Sequence, residues 1–297
     1  MGIVAIISDL HVDINGLEGA SLHRLRDFLF EQGVTHLHLA GDTANRHQKT
    51  LQTVAFFQEK IATTFHWGNH EMIDLTGEAE IEDFSAESFL NFRTIALSQE
   101  TLLLGVNGWY DYGYSDLQNE RENRRLKDLF WYDRQIIRSA SDPQISEAIN
   151  QRLAQTLEQL PRDKRIILAT HFVPKKEFII HHEGEHQRWN QLNAFLGSQS
   201  FGNVIDQFPQ VTDVVFGHTH RRFASQKIEN TWYHCRPLGY YYEWQLTRDF
   251  VFEHHLVEKY RPTKLRTILR KNQPAFTQQK ERFLLDEFQR SLTLIPY

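Results

Sequence analysis

The chain has one cysteine, Cys235, among 297 residues, so no intrachain disulfide can form. That usage suits a reducing compartment, and a cytoplasmic location is expected. Long apolar runs are missing as well, and none approaches the roughly 20 residues a membrane-spanning helix needs. The opening run Met-Gly-Ile-Val-Ala-Ile-Ile-Ser-Asp has no basic flank and is too short for a signal peptide. Nor is there an excess of positive charge. The formal net charge is −5, so no global basic field draws the chain toward nucleic acid or an anionic membrane, and neither is an expected partner. Internal repeats and low-complexity linkers are lacking too.

The remaining composition, 40% hydrophobic and 24% charged, is that of a globular protein with room for one large domain or two small ones. Sixteen histidines is a high count, so their positions matter. Apolar runs at 2–8, 34–40, 63–67, 101–107, 166–170 and 211–216 read as buried strands. Helical spacing separates the early ones, at 16–32 and 50–61, and a further helical piece is expected around Phe84 to Phe92. Residues 117–160 read as mostly helical with a break at Asp142-Pro143. Runs at 223–228, 231–235 and 250–257 read as late strands. After a basic stretch from Lys259 to Lys271, Leu284, Leu285, Phe288 and Leu292 predict a helix beyond Pro274. Strand–helix alternation of this kind argues for a layered α/β fold.

The strand ends carry the chemistry. Asp9 and His11 follow the first strand, Asp42 the second, Asn69 and His70 the third, His171 a later one, and His218 and His220 the next. Ligands in open α/β sheets collect beyond the carboxyl ends of strands, so these loops should converge. Leaving His70 aside, two carboxylates, four imidazoles and one amide oxygen form an N/O set without thiolate. Such a set suits manganese, iron or zinc. Seven side chains are too many for one tetrahedral ion but suit two ions that share a carboxylate.

Each block alone is commonplace, since Gly-Asp is often just a turn and a lone histidine is usually structural. Together, Asp9-x-His11, Gly41-Asp42, Gly68-Asn69-His70-Glu71, His171 and Gly217-His218-Thr219-His220 resemble the signature of the calcineurin-like metallophosphoesterases. The resemblance implies a four-layer α/β/β/α sandwich with two mixed sheets and a dinuclear metal site at the strand ends. It implies a domain over residues 1–257, with 258–297 as a helical extension packed on it. Asp9, His11, Asp42 and His220 would bind one ion. Asp42, Asn69, His171 and His218 would bind the other, with Asp42 bridging. The implied activity is hydrolysis of phosphomono- or phosphodiesters of a small substrate. In it, a bridging hydroxide held by ions about 3.5–4 Å apart attacks phosphorus, and His70 protonates the leaving group. An inert scaffold of the same fold and a nuclease are the alternatives.

Around this set, Arg46 is a candidate phosphate contact through bidentate hydrogen bonds. Arg221, Arg222 and Arg236 are weaker ones. Asn45 stands where the protein-phosphatase branch has an acidic residue, which argues against that activity. Trp109, Tyr110, Tyr112 and Tyr114 read as a loop pinned by aromatic packing rather than a base-stacking surface. His36 and His38 read as satisfied structural residues, and His181, His182 and His186 as members of a solvated loop.

Overall fold

The computed structural model describes residues 2–117 and 119–297. Its strands are β1 (Ile3–Ile7), β2 (His36–Ala40), β3 (Ala62–His66), β4 (Arg93–Ala96), β5 (Thr101–Val106), β6 (Arg165–Thr170), β7 (Val211–Phe216), β8 (Gln226–Ile228), β9 (Thr231–Cys235) and β10 (Thr293–Pro296). They form two mixed sheets, one ordered β10-β1-β2-β3 and the other β4-β5-β6-β7-β9-β8. Strands β1 to β3 run parallel, as do β5, β6, β7 and β9, while β10, β4 and β8 pair antiparallel at the edges.

Side-chain alternation explains the layering. Val4, Ile6, Ala40, Leu103, Ile167, Ala169, Val215 and Ile295 point from both sheets into one shared apolar layer. Their neighbours Ala5, Ile7, Leu37, Leu39, Leu104, Leu168, Val214 and Phe216 face the opposite way, into the core that the helices cover. Strands buried on both faces read as near-continuous apolar runs, as β1, β5, β6 and β7 do, while β2 and β3 place His36, His38, Thr64 and His66 on the inter-sheet face. The result is the expected α/β/β/α sandwich.

The helices are α1 (Ala20–Glu31), α2 (His47–Gln58), α3 (Asn69–Met72), α4 (Glu78–Glu82), α5 (Glu120–Phe130), α6 (Asp142–Gln159), α7 (Gln199–Ile205), α8 (Gln245–Glu253), α9 (Leu265–Lys271) and α10 (Gln273–Ser291). Helix α2 packs on β3, α10 on α1 and α8, and α6 on α7. Pro143 lies in the first turn of α6, where a missing N–H costs nothing.

Three local expectations need correction. The run 250–257 is not a strand. Leu246, Phe250 and Val251 are buried one helical turn apart, and α8 begins upstream of the apolar run. Residues 84–92 are not helical, because Phe84 and Phe89 pack edge-on and tilted against Trp67 in an irregular aromatic cluster. The C-terminal segment is helical as expected through α10, but it ends in β10, which pairs with β1 from Ile3↔Pro296 to Ile6↔Thr293.

Candidate metal centre

Strands β1, β2, β3, β6 and β7 all end at one place. The chain turns sharply there. Asp9, His11, Asp42, His218 and His220 have φ of 56°, 41°, 52°, 65° and 51°, in the left-handed region that side chains usually avoid. They make up five of the nine non-glycine residues with positive φ among those described, so the strain gathers at this site. Each such residue costs on the order of 1 kcal/mol or more. The turns are held by backbone bonds between loops. Asp9 N donates to Gly41 O at 3.1 Å, His11 N to Asp42 O at 3.0 Å and Gly217 N to His171 O at 3.1 Å. Two of the signature glycines are steric necessities. A Cβ at Gly68 would overlap the Asp42 carboxylate, and one at Gly217 would overlap the Asp9 carboxylate and Ser8.

Asp9, His11, Asp42 and His220 each present one ligand atom, all within 4.8 Å of one another, and Asp42, His171 and His218 do the same. His11 Nε2 lies 3.1 Å from His220 Nε2, which in turn lies 3.2 Å from Asp9 Oδ1. On the other side, His171 Nε2 lies 3.3 Å from Asp42 Oδ2, 3.1 Å from Asn69 Oδ1 and 3.2 Å from His218 Nδ1. Asp42 thus stands in both groups, and Asn69 joins the second.

Outer hydrogen bonds decide which atoms face inward. His171 Nδ1–H donates to Ala40 O at 3.2 Å, His218 Nε2–H to Phe195 O at 3.0 Å and His220 Nδ1–H to Glu243 Oε2 at 2.9 Å. Asn69 Nδ2 donates to Asp133 Oδ1 at 2.7 Å, which turns its oxygen inward. In the neutral rings the inward nitrogens therefore carry lone pairs, and those lone pairs face one another. Such buried acceptors on Asp9, Asp42, Asn69, His171, His218 and His220, aimed together at 3.1–3.3 Å, repel unless a cation lies among them. Metal–nitrogen bonds of about 2.0–2.1 Å place neighbouring ligands about 3.0–3.4 Å apart, so the spacing fits such ions.

Protonation tells the same story. Burial alone would lower the His171 and His220 pKa values. Asp42 and Asp9 instead raise that of His171 to about 9, and Glu243 and Asp9 raise that of His220 to about 10. Burial would raise Asp9 and Asp42, yet the facing histidines hold both carboxyls below their ordinary range. Without an ion, protons supply the positive charge the carboxylates demand, so ion uptake must release them.

His70 stands beside both groups without joining either. It is buried, its Nδ1 meets Asn45 Oδ1 at 2.6 Å, and its Nε2 lies 3.8 Å from Asp42 Oδ2. Tyr132 stacks on its ring at 4.4 Å between centroids. Burial lowers its pKa, with Asp42 pulling the other way.

The remaining candidates are more dispersed. Arg46 is 70% exposed and paired with Asp74 at 2.6 Å. Arg222 is held by Glu287 at 2.7 Å, and Arg236 donates to Arg290 O at 2.9 Å. Trp109, Tyr110, Tyr112 and Tyr114 are buried, and Trp109 Nε1 donates to Asp142 Oδ1 at 2.9 Å, so they form core and leave no face for a base. His36 and His38 are buried and share Thr64 Oγ1 at 2.8 and 2.9 Å. His181 is exposed and His182 half-buried in a loop, whereas His186 is exposed on the 3-10 helix Gly184–Phe195 and so departs from the loop expectation.

Two residues outside the donor set, Glu71 and Asp133, also shape the centre. Glu71 is wholly buried and accepts from the backbone N–H of Asp42, Thr43, Ala44 and Gly68 and from Thr50 Oγ1. It staples the Gly41–Ala44 turn to the Gly68 turn. Burial, reinforced by Asp42, raises its pKa to about 7. Its place in Gly-Asn-His-Glu was the available signal. Asp133 lies 64 residues from the amide it orients and offered none.

A family model described as calcineurin-like phosphoesterase matches residues 3–222. Among solved structures, the phosphopantetheinyl hydrolase of Mycobacterium tuberculosis is similar at 16% identity with a TM-score of 0.63, over 82% of this chain and 92% of that one. A dimetal phosphatase from Danio rerio is similar at 13% identity with a TM-score of 0.44, over 80% of this chain and 87% of that one. The first is a likeness of fold. Curated protein sequences return no match.

Proposed function

Because the chain belongs to the calcineurin-like phosphoesterase family, we propose that it hydrolyses phosphoesters of a small substrate at a centre of two divalent ions. The observation that carries this reading is the pair of convergent donor groups that share Asp42. Asp9, His11, Asp42 and His220 would hold one ion, and Asp42, Asn69, His171 and His218 the other. The donor chemistry suits manganese, iron or zinc. When bound, the ions supply Lewis acidity to the phosphoryl oxygens and to the attacking water.

The protein's own part is positioning. The buried carboxylates and imidazoles keep the centre out of bulk solvent, which strengthens every charge interaction within it. Asn45 holds Nδ1 of His70, so Nε2 is the atom that faces the centre, in place to hand a proton to the leaving oxygen. Asn45 is neutral where a carboxylate would stabilise the imidazolium, so His70 stays a ready donor once protonated. Arg46 can exchange Asp74 for a substrate phosphate at small cost, since exposed ion pairs contribute little.

A panel of aryl monoesters, aryl diesters, cyclic nucleotides, dinucleoside polyphosphates and short oligonucleotides, run with each metal separately, tests the proposal. Metal-dependent turnover of at least one small ester is expected. A metal-loaded protein inert on every member would sink it. Preference for oligonucleotides with a steep loss in salt would point to a nuclease instead.

A further inference from the structure

The matched family segment stops at residue 222, yet a loop beyond it closes the centre. After β9 the chain returns over the end of β1, where Leu238 N donates to Ser8 O at 3.1 Å and Gly239 N to Asp9 O at 3.2 Å. Asn15 clamps the loop from outside. Its Nδ2 donates to Gly239 O at 2.9 Å, and its Oδ1 accepts from Tyr241 N at 2.7 Å. Gly239 has φ of +71°, and a Cβ there would come within 3.2 Å of His220 Cβ, so the loop lies directly on that histidine.

Two side chains reach inward from it. Glu243 Oε2 accepts from His220 Nδ1 and from Tyr240 N, both at 2.9 Å. The Tyr240 ring lies 4.6 Å from that of His11 and 4.4 Å from that of His220, the latter at 83°. Its hydroxyl lies 3.1 Å from His70 Nε2.

We propose that Tyr240 and Glu243 are positioning residues that complete the centre from outside the family segment. Glu243 fixes the His220 ring and Tyr240 fixes that of His70. This rests on the reading that the centre holds two ions. A histidine whose outer N–H is held by a carboxylate keeps its inner lone pair aimed at the ion and binds it more tightly. Asn45 Oδ1 accepts from His70 Nδ1–H, so Nε2 of the neutral ring accepts from the Tyr240 hydroxyl and Nε2–H of the protonated ring donates, and the ring is pinned at both nitrogens. Because Glu243 also anchors the Tyr240 backbone, one loop serves both metal retention and the alignment of His70.

The test uses full-length, metal-free wild type, Glu243→Ala, Glu243→Gln and Tyr240→Phe, with thermal melts of each and zinc titrated against a chelating dye. Wild type should take up two zinc ions per chain. Glu243→Ala should weaken one site about 10–100-fold and spare the other. Glu243→Gln, whose amide oxygen still accepts, should fall between. Tyr240→Phe should keep both sites and its KM on any ester the wild type cleaves, with kcat lowered about tenfold. Unchanged zinc affinity in Glu243→Ala, or unchanged kcat in Tyr240→Phe, overturns the role of that residue. Loss of both sites together with a lower metal-free melting temperature makes the loop merely structural and also overturns the proposal. A wild type that takes up no zinc fails the two-ion reading itself, a result distinct from selective loss at one site.

Discussion

Asp42 is the residue on which both halves of the centre depend. Replacing it with asparagine keeps the size and removes the shared charge. Asp42→Asn should therefore lose both ions by elemental analysis and at least about a thousandfold in turnover. His70→Ala should differ in kind. It should keep both ions and lose about 10²–10⁴ in kcat on an aryl phosphate, so normal turnover in that variant would remove His70 from the chemistry. The glycines make a third residue-scale test. A methyl at Gly217 must displace Asp9, so Gly217→Ala should reduce metal content while leaving the circular dichroism of the fold intact. The candidate ligands were legible in sequence because each block sets a polar group at the end of an apolar run, three of the five with a glycine just before it. The left-handed backbone at Asp9 or His218 was not, since Asp and His enter that region more often than most side chains but still seldom, and tertiary contacts decide where they do. Nor was Glu243, since its partner His220 is 23 residues away and Tyr-Tyr-Tyr-Glu reads as an ordinary loop.

Between β2 and β3 a line of buried polar groups runs along the inter-sheet face. His36 and His38 share Thr64, and His38 Nε2 meets His66 Nδ1 at 2.9 Å. Burial lowers all three histidines, His36 to about 4, His38 to about 3 and His66 well below 6.5. Their folded pKa values lie below the unfolded one, so the unfolded chain binds more protons from about pH 6.5 down to about pH 4. Stability should fall as pH drops through that window. His38→Gln should flatten the fall by about one proton, or about 1.4 kcal/mol per pH unit, in urea unfolding between pH 7 and 5. An unchanged slope would contradict it. At this scale the strands with continuous apolar runs were readable, because burial on both faces leaves a strong signal. The short edge strands β4 and β10 were not, since four residues carry too little pattern and their identity comes from the neighbour they pair with. Helix α8 was misread because Phe-Val-Phe favours a strand by local preference, while packing of Leu246 and Phe250 decides for a helix.

For the molecule as a whole, the C-terminal segment bears directly on the centre. Strand β10 covers the outer edge of β1, the strand that delivers Asp9 and His11. Leu265, Leu269, Phe276, Leu284, Phe288, Leu292 and Ile295 are buried from that segment. At about 1.5–3 kcal/mol each, they contribute on the order of 10 kcal/mol or more, comparable with the whole stability of a typical domain. A chain cut after Val257 should therefore fail to fold into a soluble form, and a soluble, metal-binding product would show the segment to be dispensable. Among the described residues no helix is long and apolar enough to cross a membrane. The layered α/β class was legible from strand–helix alternation, and the four-layer sandwich only through the family resemblance that the ordered ligand blocks carry. The tail's strand was not, because its amphipathic helix dominates the local pattern.

The most direct test of the central claim is metal-dependent hydrolysis measured as a titration. Metal-free protein receives manganese, iron or zinc in steps, and release from an aryl phosphoester is followed at each. A rate that starts at background, rises with added metal and levels off at two ions per chain is the predicted result. A rate that is indifferent to metal, or no hydrolysis at full loading, would contradict it.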